Sequence, residues 1–166
     1  MLETERLIIK VPTLDDIEEL FAIHNDPANQ LYNPKGPDTD IDRFTEGIKE
    51  WIKHHKQHGF GYYVLIDKSD RKTFGACGLK FKTIQNEDYL NIYYRINSDK
   101  TRKGFVKEAA NEIMKHVKQI TDSKYKVVAQ TQYNNIPSIK TAESLGFEMD
   151  PSFDDILEKG NVFLFR

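Results

Sequence analysis

The sequence predicts an α/β protein folded as one domain. Three observations carry this. Strand-like runs and amphipathic helical runs alternate along the chain; its middle third holds three β-rich runs joined by short polar turns; and 166 residues pass without a repeat, a low-complexity tract or a linker. A chain of this length can bury most of its apolar surface in a single core.

The first unit is a strand followed by a helix. "RLIIKVP" at 6–12 reads as a strand stopped by Pro12. "TLDDIEELFAIHND" then opens a helix: Thr13 is a suitable N-cap, Asp15 and Asp16 suit the positive end of the helix dipole, and Leu14, Ile17, Leu20 and Phe21 recur at helical spacing. Residues 27–39 hold three of the six prolines and read as a loop. From Asp40 a second helix carries Ile41, Phe44, Ile48, Trp51 and Ile52 until Gly59 ends it.

The periodicity then changes to that of strands. Runs at about 61–67, 73–83 and 88–96, separated by "KSDRK" and "QNED", predict an antiparallel meander. A third helix follows with Val106, Ala109, Ala110, Ile113, Val117 and Ile120 on one stripe, then a strand at 124–131, a short helix and a last strand "NVFLFR". The order is β-α-α-β-β-β-α-β-α-β, with a further strand expected around 153–158.

Composition excludes several classes. With 24 Lys+Arg against 26 Asp+Glu there is no overall basic field to attract nucleic acid. The apolar runs fall far short of the roughly 20 residues that span a bilayer, so no membrane partner is expected. The start "MLETERLIIK" lacks the pattern of a secretory signal, and the expected location is cytoplasmic. Cys77 is the only cysteine, which rules out an intrachain disulfide and a cysteine-based metal cage.

Single residues invite sharper readings that their settings do not favour. Cys77 in "FGACGL" reads as core rather than nucleophile. His54, His55 and His58 lack the glutamate of an H-E-x-x-H site and read as a solvated helix face, so no metal is expected. Asp15, Asp16, Glu18 and Glu19 read as dipole partners and Trp51 as core, while the proline-rich loop at 27–39 is the better candidate for contact with a substrate.

Two stretches look chemical. "TRKGFVKEA" at 101–109 is a turn running into a helix, where unpaired N–H groups and the helix dipole suit a phosphate; Gly104 permits close approach, and Arg102 and Lys103 add charge. "NNIPSIKTAESLGFE" at 134–148 has Asn135 as N-cap, Pro137 in the first turn and Gly146 as a stop. Together these stretches resemble motifs A and B of the GNAT acyl-CoA N-acyltransferases. Asn135, Ser138, Glu143, Gly146 and Phe147 match the form N-x-x-S-x-x-x-x-E-x-x-G-F, and with the opening "ETERLIIKVPTLDDIEEL" they resemble the ribosomal-protein N-terminal acetyltransferase branch, the Rim type. The likeness covers nearly the whole chain. It departs in motif A, where Thr101 stands at a Gln/Arg position, Val106 at a small-residue position, and Arg102 where the branch favours glycine.

The resemblance implies a mixed, mainly antiparallel sheet of six or seven strands flanked by four helices, in which the strands at 88–96 and 124–131 splay apart. Acetyl-CoA would lie in that gap, with Ile96 beside its pantetheine, Thr101, Arg102, Lys103, Gly104, Phe105 and Val106 around its pyrophosphate, and Asn135 and Lys140 near the pantetheine or nucleotide. A primary amine would attack the thioester directly, a backbone N–H would hold the oxyanion, and Ser138 would give the thiolate its proton. Asn91 occupies the place where related enzymes carry a glutamate, and Tyr94 and Tyr93 are its neighbours, so no base is assigned. The implied acceptor is a protein N-terminal α-amine; a small amine such as a polyamine or aminoglycoside, and a non-catalytic acyl-CoA-binding module, are the competing readings. Homodimers are common in the family.

Overall fold

The computed structural model describes residues 1–166. Two short strands, β1 (Leu2–Glu3) and β2 (Leu7–Lys10), lead to a capped helix start. Thr13 accepts from the Asp15 N–H, and the Asp16 carboxylate accepts from the Thr13 N–H at 2.8 Å, the reciprocal arrangement of a capping box. A 3-10 turn then passes into α1 (Ile17–Asn25). Lys10 Nζ lies 2.5 Å from Asp16, tying strand to helix. Helix α2 (Ile41–His58) begins where Asp40 accepts from the N–H groups of Asp42 and Arg43, and ends at Gly59 with φ 79°.

The meander comprises β3 (Tyr62–Asp67), β4 (Lys72–Ile84) and β5 (Glu87–Ile96). Gln85 and Asn86 both adopt positive φ between the paired residues Ile84 and Glu87, the two-residue turn whose twist suits a hairpin. Then come α3 (Phe105–Thr121), β6 (Val127–Gln132), α4 (Ile136–Ser144), β7 (Glu148–Met149) and β8 (Asn161–Phe165). All eight strands form one sheet in the order β1-β2-β3-β4-β5-β6-β8-β7, with every neighbouring pair antiparallel except β5 and β6. That parallel pair is where the chain crosses over through α3, as parallel neighbours require.

Each face of the sheet has its own cover. Leu7, Ile9, Leu65, Leu79 and Ile92 pack with Ala109, Ile113 and Val117 of α3 and with Ile139 and Ala142 of α4. On the opposite face Leu20 and Ile48 pack with Val64 and Ala76, while Ile84, Tyr89, Val128 and Phe163 lie under Phe153 and Ile156. Cys77 is fully buried in the core, and burial pushes its thiol up to about 12. No helix is long and apolar enough to cross a membrane.

Four expectations need correction. The sheet has eight strands rather than six or seven, because β1 and β7 are two residues each and carry no readable periodicity. The strand expected at 153–158 is absent: a 3-10 turn spans Pro151–Phe153 and Asp155 takes φ 59°, so Phe153 and Ile156, three residues apart, reach one cluster from turns. Along α3, Ile120 is 44% exposed, and Phe105 and Met114 are buried instead. Finally, His54 and His55 are buried rather than solvated. His54 Nδ1 donates to the Phe60 carbonyl at 2.7 Å and its Nε2 accepts from the Phe81 N–H; His55 Nε2 donates to the Tyr62 carbonyl at 2.8 Å. The rings serve backbone groups left over where the chain doubles back after Gly59, a tertiary need with no local signature.

Candidate active site

The parallel ladder between β5 and β6 is two residue pairs long, Leu90 with Val127 and Asn91 with Val128. Beyond it the strands separate, although β5 stays paired with β4 as far as Ile96 and β6 with β8 as far as Gln132. The Leu90 N–H donates to the Lys126 carbonyl across the ladder. By the alternation of a strand, Ile92, Tyr94 and Ile96 therefore turn their N–H and C=O groups toward the gap, where β6 no longer meets them. A cleft of about 120 Å³ opens there, lined among others by Tyr93, Tyr94, Gln130, Asn135, Ser138 and Ala142.

At the C-terminal end of β5 the chain makes a 3-10 turn over Ser98–Lys100 and enters the segment 101–104. Thr101 Oγ1 donates to the Ser98 carbonyl at 2.7 Å, so this residue braces the turn. Arg102 takes φ 62° and Gly104 φ 78°. The first is the position where the resembling branch favours glycine, and the positive φ accounts for that preference. Gly104 is the N-cap of α3, no side chain caps the helix there, and the first intrahelical bond runs from the Glu108 N–H to the Gly104 carbonyl. The N–H groups of Phe105, Val106 and Lys107 are left at the positive end of a 17-residue helix, an arrangement suited to an anion.

This helix start is clamped from the N-terminus of the chain. Arg6 Nε lies 2.7 Å from Glu108 Oε1, the Arg6 N–H donates to Glu108 Oε2 at 3.0 Å, and the Thr4 hydroxyl donates to the same carboxylate. Arg6 Nη1 also donates to the Lys103 carbonyl at 2.8 Å, and the guanidinium sits 4.3 Å from the Phe105 ring centre. Burial works to raise the Glu108 carboxyl, but the hydrogen bonds from Thr4 and Arg6 outweigh it and hold it below the ordinary value. The sequence reading missed Arg6, whose partner lies some hundred residues away.

Within the cleft, Tyr94 reaches across the gap to α4. Its hydroxyl donates to the Ser138 carbonyl at 2.9 Å and lies 3.1 Å from Ser138 Oγ, so the serine O–H can donate to the tyrosine oxygen. Burial pushes the Tyr94 phenol up to about 12, keeping it protonated. Asn135 Oδ1 accepts from the Ser138 N–H at 3.2 Å, fixing the start of α4. Lys140 is exposed on α4 and is not among the lining residues. Asn91 does not line the cleft either: it closes the ladder, and its amide donates to the Tyr62 hydroxyl at 3.0 Å.

The face opposite α3 supplies an aromatic wall. The Tyr62 and Tyr93 rings stack with centres 4.9 Å apart, and Trp51 meets both edge-on. The proline-rich loop is docked beside this wall. Arg95 donates to the Asn29 carbonyl and to Gln30 Oε1, and Asn29 Oδ1 accepts from the Ser98 N–H at 2.8 Å.

Known proteins share this fold. Residues 6–148 match the family model described as an acetyltransferase (GNAT) domain. The uncharacterized N-acetyltransferase p20 of Bacillus licheniformis is 26% identical over 150 residues, covering 90% of this chain and 83% of that protein. An acetyltransferase from Agrobacterium tumefaciens superposes with a TM-score of 0.83 at 17% identity, covering 99% of this chain and 92% of that one. RimL, a ribosomal-protein α-N-acetyltransferase solved in complex with coenzyme A, gives a TM-score of 0.77 at 15% identity, covering 98% and 94%. At such identities the two structures speak for the fold, whereas the family model spans the chain from Arg6 of the clamp to Glu148 beyond α4. The chain belongs to the GNAT family of N-acetyltransferases.

Proposed function

We propose that this protein transfers the acetyl group of acetyl-CoA to a primary amine, and that the amine is the α-amino group of a protein N-terminus. The observation that carries the reading is the open edge of β5, which β6 leaves after Asn91 and where Ile92 and Tyr94 line the cleft; by strand alternation the N–H and C=O groups of Ile92, Tyr94 and Ile96 turn to that side. A pantetheine chain pairs with such an edge as an added strand, and the uncapped start of α3 takes the pyrophosphate through the amides of 101–106. Arg102 and Lys103 add charge at that end, and Asn135 meets the pantetheine.

In the reaction the amine nitrogen attacks the thioester carbon, and a β5 N–H holds the oxygen that becomes negative. Collapse breaks the C–S bond, and the Ser138 hydroxyl, oriented by Tyr94, protonates the leaving sulfur. The acceptor follows from basicity. No carboxylate lines the cleft. An α-amine with a reference pKa of about 7.7–8.0 is substantially neutral near pH 7, whereas alkyl amines near 10.4 need stronger help. RimL, which shares the fold, acts on such an α-amine.

Release of free thiol from acetyl-CoA tests this, with an alanine-initiated hexapeptide amide and spermidine compared as acceptors. The peptide is expected to give the higher kcat/KM. Preference for spermidine would overturn the α-amine assignment, and bound acetyl-CoA with no transfer to either would leave a binding module.

A further inference from the structure

The proposed reaction leaves the amine's proton without a receiver, and the structure holds a pair of groups that no motif identified. His24 lies in the last turn of α1 and is 5% exposed. Its Nδ1 is 2.8 Å from the Leu20 carbonyl oxygen, which can only accept, so Nδ1 carries the proton and Nε2 is the acceptor. Nε2 lies 2.5 Å from the Tyr93 hydroxyl, and the two ring planes differ by 14°, which is the geometry of an in-plane hydrogen bond donated by the tyrosine. Tyr93 in turn lines the cleft on β5, between Ile92 and Tyr94, whose backbone groups face the gap.

We propose that Tyr93 and His24 form the relay that deprotonates the attacking amine. The inference rests on reading the cleft as the site of acetyl transfer. As the C–N bond forms, an N–H proton of the amine passes to Tyr93 Oη while the Tyr93 O–H proton passes to His24 Nε2. The imidazole becomes imidazolium and the tyrosine is restored. One proton is gained at His24 and one passes from Ser138 to the CoA sulfur; after release His24 gives its proton to solvent and Ser138 takes one back, so that both return to their starting state.

The surroundings fit each role. Burial pushes the Tyr93 phenol up to about 12, so it acts as a conduit rather than as the base. Burial also lowers His24, against the Leu20 carbonyl that raises it; Arg95 of β5 adds to the lowering and Asp38 of the proline-rich loop opposes it. Helix α2 contributes only the Phe44 and Trp51 rings, with centres 5.0 and 6.3 Å from that of His24. The imidazole is thus neutral at pH 7 and ready to accept. Once formed, the imidazolium gains from the C-terminal end of α1, where the helix dipole favours a cation.

Two variants with different structural consequences test the relay, assayed with acetyl-CoA and the alanine-initiated hexapeptide. His24→Gln places an amide where Nε2 stands and keeps a partner for Tyr93 without a base; Tyr93→Phe keeps the ring and removes the conduit. Each is expected to lower kcat by on the order of 10²-fold, the double variant by no more, with calorimetric affinity for acetyl-CoA unchanged. The wild-type kcat should rise with pH along a limb centred below about 6.5, and that limb should vanish in both variants. A kcat within about twofold of wild type in a folded Tyr93→Phe protein, or a limb that persists, overturns the relay while leaving the transfer reading intact. Wild-type protein that binds acetyl-CoA and transfers to no amine overturns both.

Discussion

Ser138 and Tyr94 show how much a single hydroxyl can be asked to do. The Ser138 O–H, which rests against the Tyr94 oxygen, must turn from it to donate toward a sulfur bound in the cleft, and the Tyr94 proton is itself already given to the Ser138 carbonyl. Ser138→Ala is therefore expected to lower kcat by about 10²-fold in a thiol-release assay, with the acetyl-CoA dissociation constant unchanged. Tyr94→Phe, which only loosens the serine, should cost less. Arg102 makes the opposite kind of statement. An L residue at φ 62° bears a local cost of roughly 1 kcal/mol, so Arg102→Gly should raise the thermal midpoint or leave it level, even as it removes a charge beside the proposed pyrophosphate site. A clear fall in the midpoint would show that the Arg102 side chain is structural.

Among elements, the start of α3 has the most to explain, since the turn proposed to hold the pyrophosphate keeps only one of the glycines of the motif it resembles. The Arg6–Glu108–Thr4 clamp compensates: it fixes the first turn of the helix and the Lys103 carbonyl from outside the motif. Arg6→Ala should weaken acetyl-CoA binding by about tenfold, or ~1.4 kcal/mol, while kcat at saturation holds. Equal affinity would reduce the clamp to a fold contact. The same element marks the limit of what the sequence discloses. Caps at Thr13 and Asn135, the helix start at Asp40, the stop at Gly59 and the turn between β4 and β5 are local chemistry, and each was legible. The strands β1 and β7 were too short to read, and the strand expected around 153–158 is instead a pair of turns from which Phe153 and Ile156 reach one cluster without the alternation a strand requires. At the candidate site, Gly104, which starts α3, and Asn135 and Ser138, which line the cleft, were legible through the motifs they resemble. Arg6, His24, His54 and His55 were not, because each is a polar residue whose partner is reached only through the tertiary fold.

At the scale of the whole molecule, the end of the sheet where the chain leaves β3 and β5 is held by charge as well as by packing. Lys100, in the turn that leads to the proposed pyrophosphate site, lies 2.9 Å from Asp67 at the end of β3 and 3.2 Å from Asp70. The hydrogen bond from Lys100, helped by the Ser69 N–H and hydroxyl, holds the Asp67 carboxyl at about 2, below its ordinary 3.8. A depressed carboxylate stabilises the fold above its unfolded value, and the contribution disappears as pH falls from about 4 toward about 2. Acid titration of the thermal midpoint should therefore show a loss in that window that Asp67→Asn lacks; identical acid slopes would contradict it. The account as a whole turns on whether the splayed cleft and the atypical turn hold acetyl-CoA, and calorimetric titration of the folded protein, beside Gly104→Val, measures this directly. The account predicts micromolar binding by the wild type and a loss of at least about tenfold in the variant, where a branched side chain at φ 78° must distort the turn. No heat of binding from folded wild type, or equal affinity in the variant, would contradict it.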